Sequence, residues 1–363
     1  RRHSFPTRRS SDLGGGSLVV GYSATNSSGL LVPGTGTIRV DGTDGPAELQ
    51  LQVSPYIGNQ GTGNLIVTNG GKVTTTDSYQ MDVGSNDRGG TGRVSVGGGS
   101  SASTVSGLTL QVSGPSSLIE VLDNGTLSVG SLRAVAGSRL VVGGGSGPAV
   151  LNVSQGATPL DDGIFLLREG SRLDIRQGGT VNVSEMVVGA YLEPNNSQLS
   201  FDGGTITGAG FLGGLTASGY YGGLPVQFLS GGGTIQAASG KAFSLGATTG
   251  AGMLSKTGAG VLQFEGLANH AGTRVVEGRL YLAAGSRTTG TVDVLAGARL
   301  AGTGVLEGNL TLHQGAVIAP GNSLVNSPGT LQVGSSTWMS GGRYEWEINN
   351  ALGNNGVNWD LVQ

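Results

Sequence analysis

The 363-residue chain contains 71 Gly, 11 Pro and no Cys, and only 12% of its residues are charged. The absence of Cys excludes a disulfide framework and thiol chemistry. The low charge, together with abundant Val, Leu, Thr, Ser and Asn, excludes ordinary disorder and is typical of strands and turns. No apolar run approaches the ~18 residues of a membrane span, so any membrane anchor would lie outside these residues.

Residues 1–13 differ from everything that follows. The segment HSFPTRRSSDL matches the conceptual translation of a sequencing-library adapter, and we interpret residues 1–13 as an artefact. A signal peptide is disfavoured because Gly14, Gly15 and Gly16 stand where an apolar segment should begin. Without its four Arg and one Asp, the chain keeps 16 basic and 22 acidic side chains, a net charge of −6. This charge argues against a nucleic-acid-binding arm and against nucleic acid as a partner. We expect the chain to be a piece of a longer protein.

Residues 14–230 carry an irregular Gly-rich repeat. Its unit is a V/I-G step followed by G-x-[LIV]-x-V, and the second element recurs at Gly36–Val40, Gly63–Val67 and Gly92–Val96. Apolar residues alternate in each copy, as a half-buried strand requires. Further on, Asn152 and Asn182 sit between apolar residues in LNV and VNV, so we expect both to face outward. The pattern breaks at residues 207–231, which include Tyr220 and Tyr221, and we place a boundary near residue 231.

Residues 231–343 hold the most regular stretch of the chain, 256–282, which reads KTGAGVLQFEGLANHAGTRVVEGRLYL. It predicts strands at Val261–Phe264, Arg274–Val276 and Arg279–Leu282, separated by glycine turns. Strands this short cannot bury a face alone and must stack on copies of themselves.

This stretch resembles the autotransporter-associated β-strand repeat, whose pattern runs roughly KTGxGxLxLxGxNxYxGxTxVxxGxL. The loop after Gly266 is about one residue short, and His270 stands near the position of the usual aromatic residue, so we expect that loop to turn differently. Residues 296–323 and 344–363 are also similar to the end of autotransporter passenger regions. From the repeats and the resemblance we predict an all-β fold, a right-handed single-stranded parallel β-helix. Residues 344–363 would begin a truncated C-terminal segment.

No catalytic, cofactor-binding or metal-ligating residues are predicted, and no cofactor is expected. His3 lies in the artefact, and we expect His270 and His313 to be surface residues because no local spacing could form a metal site. Asn322 and Ser323 fit a turn, and no GxSxG motif occurs. The strongest candidate for acid–base or cation chemistry is Asp161–Asp162, with Arg168, Glu169 and Arg172 nearby, and we interpret it as an exposed turn.

The aromatic residues Tyr344, Trp346 and Trp359 could form a glycan-stacking platform, but we expect them to close the end of the core. The resemblance implies a non-enzymatic passenger or stalk at the bacterial cell surface. Its partners would be surface glycans, matrix or other copies of itself. The alternatives are a carbohydrate-active lyase or hydrolase and an envelope protein with a C-terminal sorting tail (PEP-CTERM type).

Overall fold

A computed structural model describes residues 18–22, 24–25, 31–32, 34–85, 87–154, 164–188, 196–213, 224–322 and 327–363. Its regular structure over these ranges is entirely β-strand. The described residues include no helix long and apolar enough to cross a membrane. The chain divides into two compact units, Arg1–Ile164 and Phe165–Gln363.

The first unit is built from short strands that return to the same places in each turn of the chain, here called a coil. Its strands are β1 (Leu18–Val20), β2 (Ala24–Thr25), β3 (Leu31–Val32), β4 (Thr35–Asp41), β5 (Glu48–Leu51), β6 (Pro55–Ile57), β7 (Thr62–Thr68), β8 (Lys72–Val83), β9 (Thr91–Val96), β10 (Ser103–Ser113), β11 (Leu118–Val121), β12 (Gly125–Val135), β13 (Arg139–Val142) and β14 (Ala149–Val153).

Apart from the antiparallel pair β2–β3, these strands form three parallel columns. The first column is β4-β7-β9-β11-β13. The long strands β8, β10 and β12 bend between the other two columns. Their first halves stack with β5 and β14, and their second halves continue the pairing of β1 with β6.

The pairing confirms the repeat that the sequence predicts. Gly36 pairs with Gly63 and Gly63 with Gly92, so the three Gly-x-β cores are stacked equivalents. A side chain at Gly63 would collide with the preceding coil, because a Cβ there would lie 2.4 Å from the carbonyl oxygen of Val20. Glycine at this position therefore permits successive coils to approach closely.

The second unit continues the same plan with the strands β15 (Ile164–Leu167), whose first residue belongs to the first unit, β16 (Arg172–Arg176), β17 (Gly179–Val183), β18 (Glu185–Val188), β19 (Gln198–Asp202), β20 (Gly204–Gly208), β21 (Gly210–Leu212), β22 (Val226–Phe228), β23 (Gly233–Ala237), β24 (Ala242–Leu245), β25 (Thr248–Thr257), β26 (Val261–Phe264), β27 (Leu267–Val275), β28 (Arg279–Leu282), β29 (Arg287–Thr288), β30 (Thr291–Val294), β31 (Arg299–Gly302), β32 (Val305–Leu306), β33 (Leu310–Leu312), β34 (Val317–Pro320), β35 (Thr330–Val333), β36 (Ser336–Trp338), β37 (Arg343–Tyr344) and β38 (Leu361–Val362).

Three parallel columns also organise this unit. Column A is β16-β19-β22-β25-β27-β29-β32-β35-β38. Column B is β17-β20-β23-β25-β27-β30-β33-β36. Column C is β18-β21-β24-β26-β28-β31-β34-β37. Strands β25 and β27 contribute their first halves to column A and their second halves to column B. The expected all-β parallel β-helix is confirmed.

The core of the second unit consists of apolar side chains stacked in register. Leu262, Leu280, Leu300 and Ile318 are successive partners in column C, and each is fully buried. Strands about 4.8 Å apart bring such side chains into direct contact. Full burial of one aliphatic side chain of this size contributes roughly 1.5–3 kcal/mol. Stacking thus supplies the core that a single coil lacks.

The strands β26 and β28 coincide with two of the three predicted around the regular stretch. The expected loop after Gly266 is wrong, because β27 begins at Leu267 and carries Asn269 and His270 in a paired strand. The predicted boundary near residue 231 separates two types of sequence repeat, whereas the two compact units meet at residues 164 and 165. The boundary between the repeat types stays a prediction.

Candidate functional site

The structure describes only part of the residues singled out from sequence. Asp161, Asp162 and Ser323 lie outside the described residues. Glu169 is exposed in the turn between β15 and β16, with a φ of 57°. Among the described residues, no group of three or more His, Asp or Glu side chains is placed to hold a metal ion.

The prediction for His270 is wrong, because its side chain is only 4% exposed. Its Nδ1 atom lies 2.7 Å from Oγ1 of Thr248, and its Nε2 atom lies 2.8 Å from Oγ1 of Thr273. The ring also packs against Phe228, with centroids 5.1 Å apart, and against Phe264. Burial lowers the pKa of His270 to about 4, so the imidazole is neutral at pH 7. Two hydroxyl partners and two aromatic neighbours make an interior position favourable for this neutral ring.

A second buried polar group is Lys256, which stands at an inward position of β25. Its Nζ atom donates to the carbonyl oxygens of Thr257, Gly258 and Glu277. Burial lowers the pKa of Lys256 to about 8. Strand alternation would have placed both residues inside, since Lys256 follows the buried Leu254 by two residues and His270 follows the buried Ala268 by two. All three hydrogen bonds of the Lys256 amine go to backbone carbonyls. The side chain therefore stabilises the turns of two successive coils.

Within the part of the chain that the structure describes, ionisable groups also gather in the C-terminal charge cluster, defined as Arg279, Arg299, Glu345, Glu347 and Asp360. Glu345 forms an ion pair with Arg299, and Asp360 is only 3% exposed. The two carboxylate oxygens of Asp360 accept the backbone N–H groups of Gly329 and Glu347, each at 2.9 Å. Asp360 thus ties two loops together.

Two carboxyl groups of this cluster have raised pKa values. Burial is the main cause for Glu347, and the negative charge of Asp360 adds to it. Burial also raises the pKa of Asp360, although its two backbone hydrogen bonds act in the opposite direction. A carboxyl group with a raised pKa can hold a proton, but both oxygens of Asp360 are engaged by the backbone. Asp360 therefore acts as a structural clasp.

The aromatic residues meet the expectation in part. Tyr344 pairs with Ile318, an inward residue, so its ring lies over the end of the column C core. Trp338 pairs with Leu312 and occupies the equivalent position in column B, which sequence reasoning missed. Trp346 instead donates its Nε1–H to the carbonyl oxygen of Asp360 and is 54% exposed.

Comparisons with known proteins are sparse. No protein-family model matches the chain, and no curated protein matches it. Among solved structures, the crystal structure of a TibC-catalysed hyper-glycosylated fragment of TibA is similar at 16% sequence identity. The match covers 96% of this chain and 97% of that one, with a TM-score of 0.29. A likeness at this TM-score carries no argument, so the fold rests on the strand pairing, and the repeat family stays a resemblance.

Proposed function

We propose that the chain is a structural β-helix of an extracellular or cell-surface protein, and that it acts by display or adhesion rather than by catalysis. The observation that carries the proposal is that charged side chains of the chain form ion pairs with one another on the outer surface. Lys72 pairs with Glu48, Arg93 with Glu120 and Arg287 with Glu307, and each pair joins successive coils. Such exposed pairs contribute little to stability, roughly 0–1 kcal/mol. Their charges face partners on the scaffold, not a common cleft.

Uncharged side chains on the outer surface also form hydrogen bonds between coils, as a structural scaffold would. Strand alternation places every second residue outside, and in LNV the outward residue Asn152 donates to Oγ of Ser128 in the preceding coil. Uncharged cross-coil hydrogen bonds of this kind suit a surface exposed to varying salt and pH. The resemblance to autotransporter-associated repeats supports the same location. Partners would be glycans, matrix or other copies of the chain.

The proposal is tested on intact cells that express the complete gene. Antibodies against residues 231–343 should label cells without permeabilisation, and external protease should remove the label. A cytoplasmic marker must stay protected in the same sample. Cells lacking the gene should adhere less to immobilised polysaccharide, matrix protein or one another. Labelling only after lysis would contradict the proposal.

The carbohydrate-active alternative has one specific observation in its favour: Glu347 lies half-buried within the C-terminal charge cluster, where burial and the negative charge of Asp360 raise its pKa. A proton-holding carboxyl is the general acid that glycoside hydrolysis requires. Polysaccharide turnover that disappears in Glu347→Gln, or in Asp161→Asn with Asp162→Asn, would favour this alternative. Absence of turnover in the unmodified chain would remove it.

A further inference from the structure

Column B of the second unit carries a regular array of uncharged polar side chains on its outer face. We call it the polar ladder, and its four rungs lie on successive strands β17, β20, β23 and β25. In-register pairing joins the rungs without a shift. Its members are Thr180 and Asn182, Thr205 and Thr207, Thr234 and Gln236, and Ser255 and Thr257.

Strand alternation fixes the direction of the ladder. Val181, Ile206 and Ile235 stand between the two residues of their rungs, and all three are fully buried. The ladder residues themselves are half-buried or exposed. They therefore present two parallel rows, with rungs about 4.8 Å apart and side chains within a rung about 6.7 Å apart.

Each ladder residue brings both a hydrogen-bond donor and an acceptor. Hydroxyl and carboxamide groups each have both capacities. Five of the eight residues are Thr, whose branched side chain has few rotamers, so little conformational entropy is lost when a ligand fixes it. Within the ladder, Thr207 Oγ1 lies 3.4 Å from Oε1 of Gln236, which aligns neighbouring rungs.

Charge changes at the edges of the ladder. The rung that follows Ser255 begins with Arg274, which pairs in turn with Asp293. In column A, the outward residues Asp174 and Arg176 form an ion pair. The ladder is thus a neutral segment with charged residues at its β25 end and beside it in column A, which matches a neutral partner and gives no attraction to an anionic one.

We propose that the polar ladder binds an extended, neutral polysaccharide. The rung spacing is close to the length of one sugar residue in an extended β-linked chain, so consecutive sugars can meet consecutive rungs. Sugar hydroxyls donate and accept hydrogen bonds, as every ladder side chain does. Many weak contacts along one line then give useful avidity. This proposal names a partner for the adhesive function proposed above and rests on it.

The test is co-sedimentation of the full chain with microcrystalline cellulose, chitin and insoluble β-1,3-glucan, and retention on a polygalacturonate gel. We expect retention by at least one neutral polysaccharide and no retention by polygalacturonate. The variant Thr205→Val, Thr207→Val, Thr234→Val removes three hydroxyls and keeps strand-forming residues. It should bind at least about tenfold more weakly.

The matched control is Thr249→Val, Thr311→Val, Thr337→Val, which changes three outward threonines outside the ladder. It should bind as the unmodified chain does, and both variants should unfold at the same temperature as that chain. Equal binding by the ladder variant, stronger retention by polygalacturonate, or no retention by any neutral polysaccharide would overturn the ladder proposal. If cells that carry the ladder variant still adhere, the adhesive function is retained and the ladder is not needed for it.

Discussion

The Nζ atom of Lys256 lies 3.0 Å from the carbonyl oxygen of Glu277, one coil further along the chain. The same amine donates to the carbonyls of Thr257 and Gly258. One side chain therefore holds the corner after β25 and links it to the corner before β28. Carbonyl groups that face the buried Lys256 side chain need such a donor, because a carbonyl without a partner loses the hydrogen bond that water would have made.

Replacing Lys256 by Met should destabilise the protein. The three carbonyl oxygens lose a shared donor, and we expect a loss of about 1–3 kcal/mol in the free energy of unfolding. Urea denaturation measures this difference. Lys241→Met is the control, because Lys241 is exposed and should change stability by less than about 0.5 kcal/mol. Equal effects of the two substitutions would contradict the role given to the Lys256 amine.

His270 should make stability fall in acid. Its pKa is lowered from 6.5 to about 4 in the folded protein, so between these values the unfolded state binds more protons. The contribution is complete above pH 6.5 and is lost as the pH falls towards 4, by about 3 kcal/mol in total. Urea midpoints between pH 4 and 7 should show this slope in the unmodified chain, and His270→Gln should lose that part of it.

The unmodified chain and the His270→Gln variant have all other titrating groups in common. The carboxyl groups of Asp82, Glu347 and Asp360 have raised pKa values, so their contributions change in the opposite direction. The control is Asn269→Gln, which changes an exposed, non-titrating neighbour of His270 on β27 and should keep the slope. An unchanged slope in His270→Gln would show that this residue is not the proton acceptor.

Phe228 should be one of the most costly core positions. Its ring stacks on Phe201, with centroids 5.2 Å apart and an interplanar angle of 12°, and it also contacts His270. Phe228→Ala would leave a cavity in the core and should cost about 3–5 kcal/mol. The adjacent Leu229 is 44% exposed, so Leu229→Ala should cost much less. Similar costs at the two positions, measured by urea denaturation, would contradict the inward and outward assignment.

Asp360 should control the order of the C-terminal loops. Asp360→Ala removes the acceptor of the Gly329 and Glu347 amides, both of which then lack a partner. Hydrogen exchange at these two amides should accelerate at least about tenfold, while amides in β26 and β28 should stay protected. Asp293→Ala, an outward substitution on β30, is the control and should leave both loop amides unchanged. Unchanged exchange in Asp360→Ala would mean that the clasp is held by other contacts.

Alternation and glycine spacing predicted much of the fold because both are local. The equivalence of Gly36, Gly63 and Gly92 follows from a repeated pattern that needs no knowledge of distant contacts. Strands β26 and β28 follow from short apolar alternation between glycine turns. Stacking is then forced, since a strand of four residues cannot bury a face by itself.

What the sequence alone determined is that this chain is an all-β stack of repeated coils with polar residues outside. What only the tertiary structure decided is where a polar residue becomes an interior one. His270 and Lys256 follow the same alternation as their apolar neighbours, but a buried polar group is stable only if it has partners. Thr273 supplies one partner from three residues further along β27, whereas Thr248 and the carbonyl of Glu277 supply theirs from other coils. Their proximity depends on the register between coils, which no local pattern specifies.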